Sequence, residues 1–370
     1  MPDYEKNFAY NMKRLRKAAG YTQKRLAEAA GCSEKAVSKW ESGASVPYID
    51  TLFLLAQLFH TGIENLFVDA SPVYYLGIDG GGTKTALKLT AEDGTVLRTW
   101  QAPACNPYDI GMDEAQKILR HAIYEICGDT PLSSIVMFAG IAGGTAGENR
   151  GQLAAFFDMF HFLRVANGSD NDNLIEAGLH GSDGITLLMG TGVCLFTVKG
   201  GEKRRMAGWG YLFDNGGSAY DLGRDAIHAA YGDFDGSAEK TLLRTLLEEA
   251  ENGTMDELLG GFYKGGKRKI ASYAPLVFEA ADAGDRIAEE IIMRNVGVAA
   301  GLLDAAAEQF PNGAEIPVVI AGGVTKEQTL LPRLNSQLTD KRLRVQILDT
   351  EPVDGAVLLA RRIYPPRTEA

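Results

Sequence analysis

Two glycine-rich turns, each flanked by apolar segments, constrain the fold of this chain most. The first lies in VYYLGIDGGGTKTALKLT (73–90) and the second in GITLLMGTGVCLFTVKG (184–200). In both, an apolar run ends at glycines and a second apolar run follows, which predicts strand, turn and strand. A P-loop would require Gly-x4-Gly-Lys-Ser/Thr running into a helix, and a dinucleotide-binding unit would require GxGxxG; neither is present. The similar outline of the two segments predicts an internal duplication.

Turns of this kind can bind phosphate, because glycine lets backbone N–H groups converge on an anion and threonine adds a hydroxyl. The candidates are Asp79, Gly80, Gly81, Gly82, Thr83, Lys84 and Thr85 in the first turn, and Gly190, Thr191 and Gly192 in the second. Asp79, at a strand end, is placed to hold a water on Mg²⁺. For one turn taken alone, an ordinary tight β-turn is the alternative interpretation.

A third segment, EIPVVIAGGVTKEQTLLPRLNSQL (315–338), predicts a strand that ends at Gly322 and Gly323 before a helix. Such a turn offers a flat surface for a nucleoside. DGGGTKT, MGTG and IAGGV, in this order, resemble the two phosphate loops and the adenosine loop of the actin-like ATPase superfamily, which includes sugar kinases and Hsp70 chaperones. The resemblance implies an α/β fold of two ribonuclease-H-like lobes around a nucleotide cleft, here at 73–183 and 184–362, with a tail at 363–370.

Within that superfamily, the chain resembles the N-acetylglucosamine kinase and BadF-type ATPase group. Further segments carry the resemblance: MFAGIAGGTAG (137–147), AGWGYLFDNGGSAYDLGRDA (207–226), ASYAPLVFEAADAGDRIAEEII (271–292) and EPVDGAVLLA (351–360). The group implies an ATP-dependent carbohydrate kinase, with ATP and Mg²⁺ as cofactors and N-acetylglucosamine or a related amino sugar as acceptor. The iron–sulfur activators of the BadF group are not matched, because no cysteine pair occurs in the C-terminal segment.

Phosphoryl transfer to a sugar requires a carboxylate that orients and deprotonates the acceptor hydroxyl. The family carries this Asp at the end of the strand upstream of Gly-Thr-Gly, where this sequence offers Asp170 and Asp172. Strand alternation and spacing favour Asp170, although the Asn-Asp pair that contains Asp172 also resembles the family. Alternatively, both carboxylates cap the helix that begins near Asn173.

The resemblance also implies sugar-binding residues, namely Asn106 and the loop residues Trp209 and Gly210. In the following stretch, Asn215 and Gly216 stand where the family has acids. This departure leaves two functions open. The chain is either a competent kinase fused to a regulatory domain, or a transcription regulator whose kinase-like part only senses sugar, nucleotide or both.

The first seventy residues have a helical pattern instead. Phe8, Met12 and Leu15 form an apolar stripe on a basic helix, and Thr22 and Ser33 are placed as N-caps of two short helices joined by a glycine turn,. YTQKRLAEAAGCSEKAVSKWESGASVPYIDTLFLLAQLFHTGIENLF resembles the helix-turn-helix DNA-binding domain of Cro/cI-type (XRE-family) repressors, which predicts such a domain over 1–70.

The geometry of a helix-turn-helix predicts DNA contacts from Gln23, Lys35, Ser38 and Lys39. Trp40 is predicted in the core, and any single lysine could instead be an ordinary solvated charge. One such domain reads half of an operator, so a homodimer on double-stranded DNA is expected.

The net charge differs between the helical N-terminal segment and the rest of the chain. The whole chain carries −11, yet residues 1–45 hold nine basic and five acidic residues and carry +4, which leaves −15 for the rest. A local positive charge suits phosphate binding. No apolar run approaches the length of a membrane span,, and the start of the chain lacks an apolar signal region, so we expect a cytoplasmic protein without a membrane partner.

Overall fold

A computed structural model describes residues 4–59, 61–67 and 72–365 of the chain. The chain divides into two compact units, Met1–Gly168 together with Leu359–Ala370, and Ser169–Leu358. Most of the join at 68–72, and the predicted tail from residue 366 onward, lie outside the described residues. None of the helices in the described part of the chain has the length and apolarity needed to span a bilayer.

The N-terminal segment folds as a set of short helices, as predicted. These are α1 (Tyr4–Ala18), α2 (Gln23–Ala29), α3 (Glu34–Glu41), α4 (Ile49–Leu58) and a 3₁₀ turn (Ile63–Leu66). Thr22 and Ser33 cap α2 and α3, since their hydroxyls accept backbone N–H groups at 3.1 and 3.2 Å,. Phe8 and Met12 are fully buried, so the predicted stripe on α1 contributes to the core of this segment, together with apolar residues of α2, α3 and α4.

The rest of the first unit is a five-stranded sheet with helices. In chain order it contains β1 (Tyr74–Gly80), β2 (Lys84–Ala91), β3 (Val96–Pro103), α5 (Pro107–Ile110), α6 (Met112–Cys127), a 3₁₀ turn (Leu132–Ser134), β4 (Ile135–Ile141), α7 (Asn149–Asp158) and β5 (Arg164–Gly168). The strand order is β3-β2-β1-β4-β5. β1 pairs antiparallel with β2 and parallel with β4. β1 is nearly all buried because strands flank it on both sides.

The second unit contains another five-stranded sheet and more helices. Its elements are α8 (Asp170–Leu179), β6 (Gly184–Met189), β7 (Val193–Lys199), β8 (Glu202–Arg205), α9 (Ala219–Asp235), α10 (Leu242–Glu251), α11 (Met255–Ala271), α12 (Ala274–Asp282), α13 (Arg286–Ala307), β9 (Ile316–Ala321), a 3₁₀ turn (Gly323–Lys326), α14 (Leu330–Gln337), β10 (Leu343–Ile347) and α15 (Pro352–Ile363). Helices α9–α13 form an insertion between β8 and β9.

The two sheets share one topology. The order β8-β7-β6-β9-β10 in the second repeats β3-β2-β1-β4-β5 in the first, and β6 also pairs antiparallel with the strand after it and parallel with β9. This repetition confirms the predicted internal duplication. Each glycine-rich turn therefore lies at the same topological position, between the first and second strands of its sheet.

The last residues of α15 belong to the first unit. Arg361 Nη2 donates to the carbonyl of Glu92 at 2.8 Å, and the Tyr75 hydroxyl donates to the carbonyl of Tyr364 at 3.0 Å. The first unit otherwise ends at Gly168, upstream of the predicted lobe boundary at residues 183 and 184.

Candidate nucleotide, sugar and DNA sites

Helix α3 presents the predicted DNA-reading surface. Val37 and Trp40 are buried, whereas Lys35, Ser38 and Lys39 are exposed. Trp40 is thus a core residue, as the sequence predicted. Exposed cationic and hydroxyl side chains on one short helix are the groups that contact phosphates and base edges in the major groove.

Gln23 is held inside a buried polar cluster with Glu41 and Arg16. Its Nε2 donates to Glu41 Oε2 at 2.7 Å, while Arg16 donates through Nε to Oε1 at 2.5 Å and through Nη2 to Oε2 at 3.2 Å. Burial raises the pKa of the Glu41 carboxyl, but the hydrogen bonds from Arg16 and Gln23 outweigh it, so the pKa lies below its usual value,. The cluster joins α1, α2 and the end of α3.

The pairing of Arg16 with Glu41 was not predicted from the sequence, because the two residues are separated by 25 positions in the chain. The available signal was an Arg and a Glu on helices that the same motif brings together. The Arg16 and Glu41 side chains are only 10% and 5% exposed, and buried charges require partners.

In the first unit, the glycine turn after β1 is tight. The N–H of Gly81 donates to the carbonyl of Lys84 at 2.9 Å. A Cβ built on Gly80 would lie 2.5 Å from Cys105 Sγ, so only glycine lets this strand end pass so closely,. The turn thus has the compact backbone that a phosphate-binding loop requires.

The side chains around this turn point to different roles. Asp79 is half-buried at the end of β1, and Thr83 is exposed at the tip beside Gly82. Thr85 is fully buried, and its hydroxyl donates to the carbonyl of Pro103 at 2.7 Å. In this structure the Thr85 hydroxyl therefore ties β2 to β3.

In the second unit, the glycine turn after β6 meets two other segments. The Gly190 N–H donates to the Gly192 carbonyl at 3.0 Å, and the Gly190 carbonyl accepts the N–H of Ala219, the first residue of α9, at 2.8 Å. Gly322 has a φ of 111°, and a Cβ built there would lie 2.5 Å from the carbonyl oxygen of Met189. The predicted phosphate turn, the predicted adenosine turn and the start of α9 are therefore in contact.

The exposed part of this surface carries little side-chain bulk. Thr191, Gly192 and Gly323 are all exposed, and a Cβ on Gly192 or Gly323 would meet nothing within 4 Å. An open backbone surface at a strand end suits a nucleotide, which approaches the main chain closely.

Asp170 and Asp172 have different environments at the start of α8. Asp172 Oδ2 accepts the N–H of Ser169 at 2.8 Å in a capping box, and Asp172 forms an ion pair with Lys203. Asp170 Oδ1 accepts Asn171 Nδ2 at 3.2 Å. Burial raises the pKa of Asp170 and outweighs the hydrogen bonds from Asn171 and Ser169. Asp172 thus takes part in the cap of α8, but this helix begins at Asp170 rather than near Asn173, and Asp170 is not the second capping carboxylate. Asp170 also forms no ion pair with any residue that the structure describes.

Asn106 is the N-cap of α5 in the first unit. Its Oδ1 accepts the N–H of Tyr108 at 3.0 Å, and its Nδ2 donates to Asp109 Oδ2 at 3.2 Å. Gly143, in the loop after β4, lies so near that a Cβ there would be 2.6 Å from Asn106 Oδ1. The Asn106 side chain is thus fixed where two loops of this unit meet.

The loop that contains Trp209 and Gly210 is shaped by Asp214. The carboxylate of Asp214 accepts the backbone N–H groups of Gly208, Trp209 and Gly210 at 3.2, 3.1 and 2.8 Å. Trp209 is 62% exposed, with Arg205 stacked over its ring at 4.6 Å. The role of Asp214 was not predicted from the sequence; the available signal was an acid just after a Gly-x-Gly loop, whose N–H groups need an acceptor.

Asn215 and Gly216 differ in how easily they could carry the family's acids. Asn215 is exposed. Gly216 is buried with a φ of 133°, and a Cβ there would lie 3.1 Å from Asn295 Oδ1 and 3.2 Å from Val298 Cγ2. The backbone at Gly216 therefore disfavours a glutamate, so this departure belongs to the local structure.

Within residues 4–59, 61–67 and 72–365, no group of three or more His, Cys, Asp or Glu side chains could hold a metal ion. Mg²⁺ in phosphoryl-transfer sites is commonly held by one or two carboxylates, water and the phosphates of the substrate. A single carboxylate beside a glycine turn, as at Asp79, fits that mode of binding.

Comparisons with known proteins agree with these two parts. The sequence model of the BadF/BadG/BcrA/BcrD ATPase family matches residues 76–360, and a helix-turn-helix model matches residues 12–66. The N-acetylmuramic acid/N-acetylglucosamine kinase of Clostridium acetobutylicum is 28% identical over 302 residues, which cover 78% of this chain and 98% of that protein. The N-acetyl-D-glucosamine kinase of Dictyostelium discoideum is 25% identical and covers 77% and 97%.

Solved structures share the fold. A candidate N-acetylglucosamine kinase from Chromobacterium violaceum superposes with a TM-score of 0.63 at 24% identity, covering 78% of this chain and 99% of that one. A ROK-family transcriptional regulator, a homologue of the E. coli MLC protein, gives a TM-score of 0.54 at 14% identity and covers 98% and 96%. These likenesses place the chain in the actin-like ATPase fold, as the sequence predicted.

Proposed function

The chain belongs to the BadF/BadG/BcrA/BcrD ATPase family over residues 76–360 and carries a helix-turn-helix domain over 12–66, and from this premise we propose that it is an ATP-dependent kinase of N-acetylated amino sugars that also binds DNA. N-acetylglucosamine is the proposed acceptor, because both curated relatives described above are N-acetylglucosamine kinases. ATP and DNA as partners imply activity in the cytoplasm.

One observation carries the kinase proposal. Gly322 lies so close to the turn at 190–192 that its missing side chain is a steric requirement. This brings together, in one unit, the backbone proposed to bind phosphate and the backbone proposed to bind adenosine. The turn at 79–85 occupies the same position in the duplicated sheet and is proposed to bind phosphate in the same way.

Asp170 is the proposed general base. Its carboxylate takes the proton of the sugar hydroxyl as that oxygen attacks the γ-phosphorus, and the bond from phosphorus to the ADP oxygen breaks. Asp79 would hold Mg²⁺ through water, and the ion would neutralise charge on the phosphates. Asp172 is assigned to the helix cap, because its carboxylate is already bound by Ser169 and Lys203.

Sugar binding is assigned to Asn106 and to the loop of Trp209 and Gly210. The exposed Trp209 ring offers an apolar face to a sugar, and the N–H groups bound by Asp214 keep the loop in one conformation. Asn215, exposed on the same loop, offers an amide where a relative would offer an acid.

The DNA-binding part is proposed to act as a homodimer on an operator with two half-sites. Lys35, Ser38 and Lys39 supply the contacts from α3. Gln23 Nε2 is already hydrogen-bonded to Glu41. We therefore assign Gln23 to positioning α2 against the end of α3 rather than to reading bases.

The test is an assay of ADP release from MgATP with a panel of amino sugars. We expect turnover that requires a sugar and that is highest with N-acetylglucosamine. The second candidate function, a regulator that only senses its ligands, is favoured by the exposed Asn215, which stands as an amide where the family has an acid. ATP and sugar binding without ADP release would favour that function over the kinase.

A further inference from the structure

A cavity of about 600 Å³ lies within the second unit, between α9 and α11. On the α9 side, Tyr220, Arg224 and Ile227 line it, and their spacing places them on one face of the helix,. On the α11 side, Tyr263 and Lys267 line it. None of these residues has a part in the proposed phosphoryl transfer.

Aromatic rings dominate the walls of this α9–α11 cavity. Tyr211 packs edge-on against Tyr220 at 5.0 Å between ring centroids, and Tyr231 packs edge-on against Phe262 at 6.3 Å. Tyr263 is 82% exposed at the mouth. Rings held in place by one another, with another ring free at the opening, form a slot suited to a planar ligand.

The charges beside the cavity are not all balanced. Arg224 forms ion pairs with Asp221 at 3.0 Å and Asp225 at 2.9 Å. Lys267 also lines the cavity, and its ammonium group has no hydrogen-bond or ion-pair partner among the residues that the structure describes. The unpaired ammonium group of Lys267 makes the cavity complementary to an anion.

The backbone of α11 is interrupted next to Lys267, at Gly266. Its φ of 60° and ψ of −164° interrupt α11, in a backbone region that is essentially restricted to glycine. The interruption is adjacent to Lys267 and lies in the cavity wall. A regular helix would carry the chain past this point without the bend.

We propose that the α9–α11 cavity is a second ligand site, which binds a small planar acid. The ring of the ligand stacks among the tyrosines, and its carboxylate pairs with Lys267. None of the residues that line the cavity is assigned to phosphate or sugar binding, although Tyr211 follows Gly210 of the sugar loop and Tyr220 follows Ala219 at the start of α9. The proposal therefore does not require the chain to be a competent kinase.

The test is calorimetric titration of the full chain with 2-naphthoate and with its neutral analogue, 2-naphthamide. We expect one naphthoate per chain, bound about threefold more tightly than the amide, because a single exposed ion pair contributes up to about 1 kcal/mol. The Lys267→Gln variant should bind the two compounds equally, and Tyr263→Ala should weaken both by about threefold or more. Lys264→Gln is the matched control, since Lys264 is exposed on the same helix and does not line the cavity.

Four results would overturn the proposal, and the first three concern binding of the two compounds. They are absence of naphthoate binding, equal affinity of the unsubstituted chain for acid and amide, and an equal loss in the Lys264→Gln variant. Displacement of naphthoate by MgATP would also overturn it, since the compound would then occupy the nucleotide site. The comparison of acid with amide needs no substitution, so the test does not depend on the folding of any variant.

Discussion

Replacing Asp170 by Asn is predicted to lower kcat strongly while leaving the fold intact. Asn has the same shape but cannot accept the proton of the sugar hydroxyl. A positioned general base contributes about 10²–10⁴-fold to rate, so kcat for phosphorylation of N-acetylglucosamine should fall by that factor. Asp172→Asn is the matched comparison two residues away, and its kcat should stay within about tenfold of the unsubstituted chain.

The free energy of unfolding should change in the opposite order, with the larger loss in Asp172→Asn. Burial raises the folded-state pKa of Asp170 above its unfolded value, so this carboxylate lowers the free energy of unfolding once the pH has risen past the folded pKa. Asn removes that cost, and Asp170→Asn should be at least as stable as the original chain at neutral pH. Asp172→Asn loses the ion pair with Lys203 and weakens the cap on Ser169, which should cost about 1 kcal/mol.

The assay is the initial rate of ADP release, recorded with thermal unfolding on the same samples. For the unsubstituted chain, kcat/KM should fall as the pH decreases through the pKa of Asp170, and this fall should occur at higher pH than for an ordinary aspartate because burial raises that pKa,. Asp172→Asn should keep this acid limb. Loss of turnover in Asp172→Asn with turnover retained in Asp170→Asn would refute the assignment, as would equal losses in both.

Three further predictions concern the helix-turn-helix and the nucleotide surface. Glu41→Ala leaves the buried guanidinium of Arg16 without its carboxylate and should cost about 3–5 kcal/mol of local stability, measured by hydrogen exchange of α3. The same change at Glu114 in α6, whose side chain is 53% exposed in its ion pair, should cost under about 1 kcal/mol, measured by hydrogen exchange of α6,. Similar costs would contradict the burial argument. Lys39→Ala should weaken operator binding and reduce the salt dependence of that affinity by about one counterion. Titrations at several salt concentrations measure this as the slope of log affinity against log salt, and an unchanged slope would exclude a phosphate contact. Gly322→Ala should lower ATP affinity and cost about 1–3 kcal/mol in unfolding free energy, because the added Cβ would lie 2.5 Å from a carbonyl oxygen of β6. A variant that binds ATP normally would contradict the assignment of this turn to adenosine binding.

Short sequence patterns predicted the helix starts and strand ends that depend only on neighbouring residues. Thr22 and Ser33 begin helices because their hydroxyls bind nearby N–H groups, and that requirement is written in adjacent residues,. The end of β1 at Gly80 follows in the same way from a run of apolar residues closed by glycine. The duplication was visible because both turns sit between similar runs.

Contacts between distant segments could not be predicted in this way. The pairing of Arg16 with Glu41 depends on how two helices cross, and the contact of Gly322 with the 190–192 turn depends on the pairing of β6 with β9. Sequence patterns report periodicity within an element but carry no direct record of which elements become neighbours. The lining of the α9–α11 cavity is of the same kind.

The chain departs from the family's acids at Asn215 and Gly216, but only one of these departures bears on whether it is a kinase or a regulator. Gly216 is required locally, because the adjacent Gly217 N–H is bound by Asn295 Oδ1 at 3.0 Å, and Asn295 Nδ2 is itself bound to Asp225 at 3.0 Å. Glycine at 216 is therefore explained by its packing against α13 and says nothing of lost catalysis. Asn215 is exposed and unconstrained by packing, so an amide there, in place of an acid, is the departure that bears on turnover and on which sugar is bound.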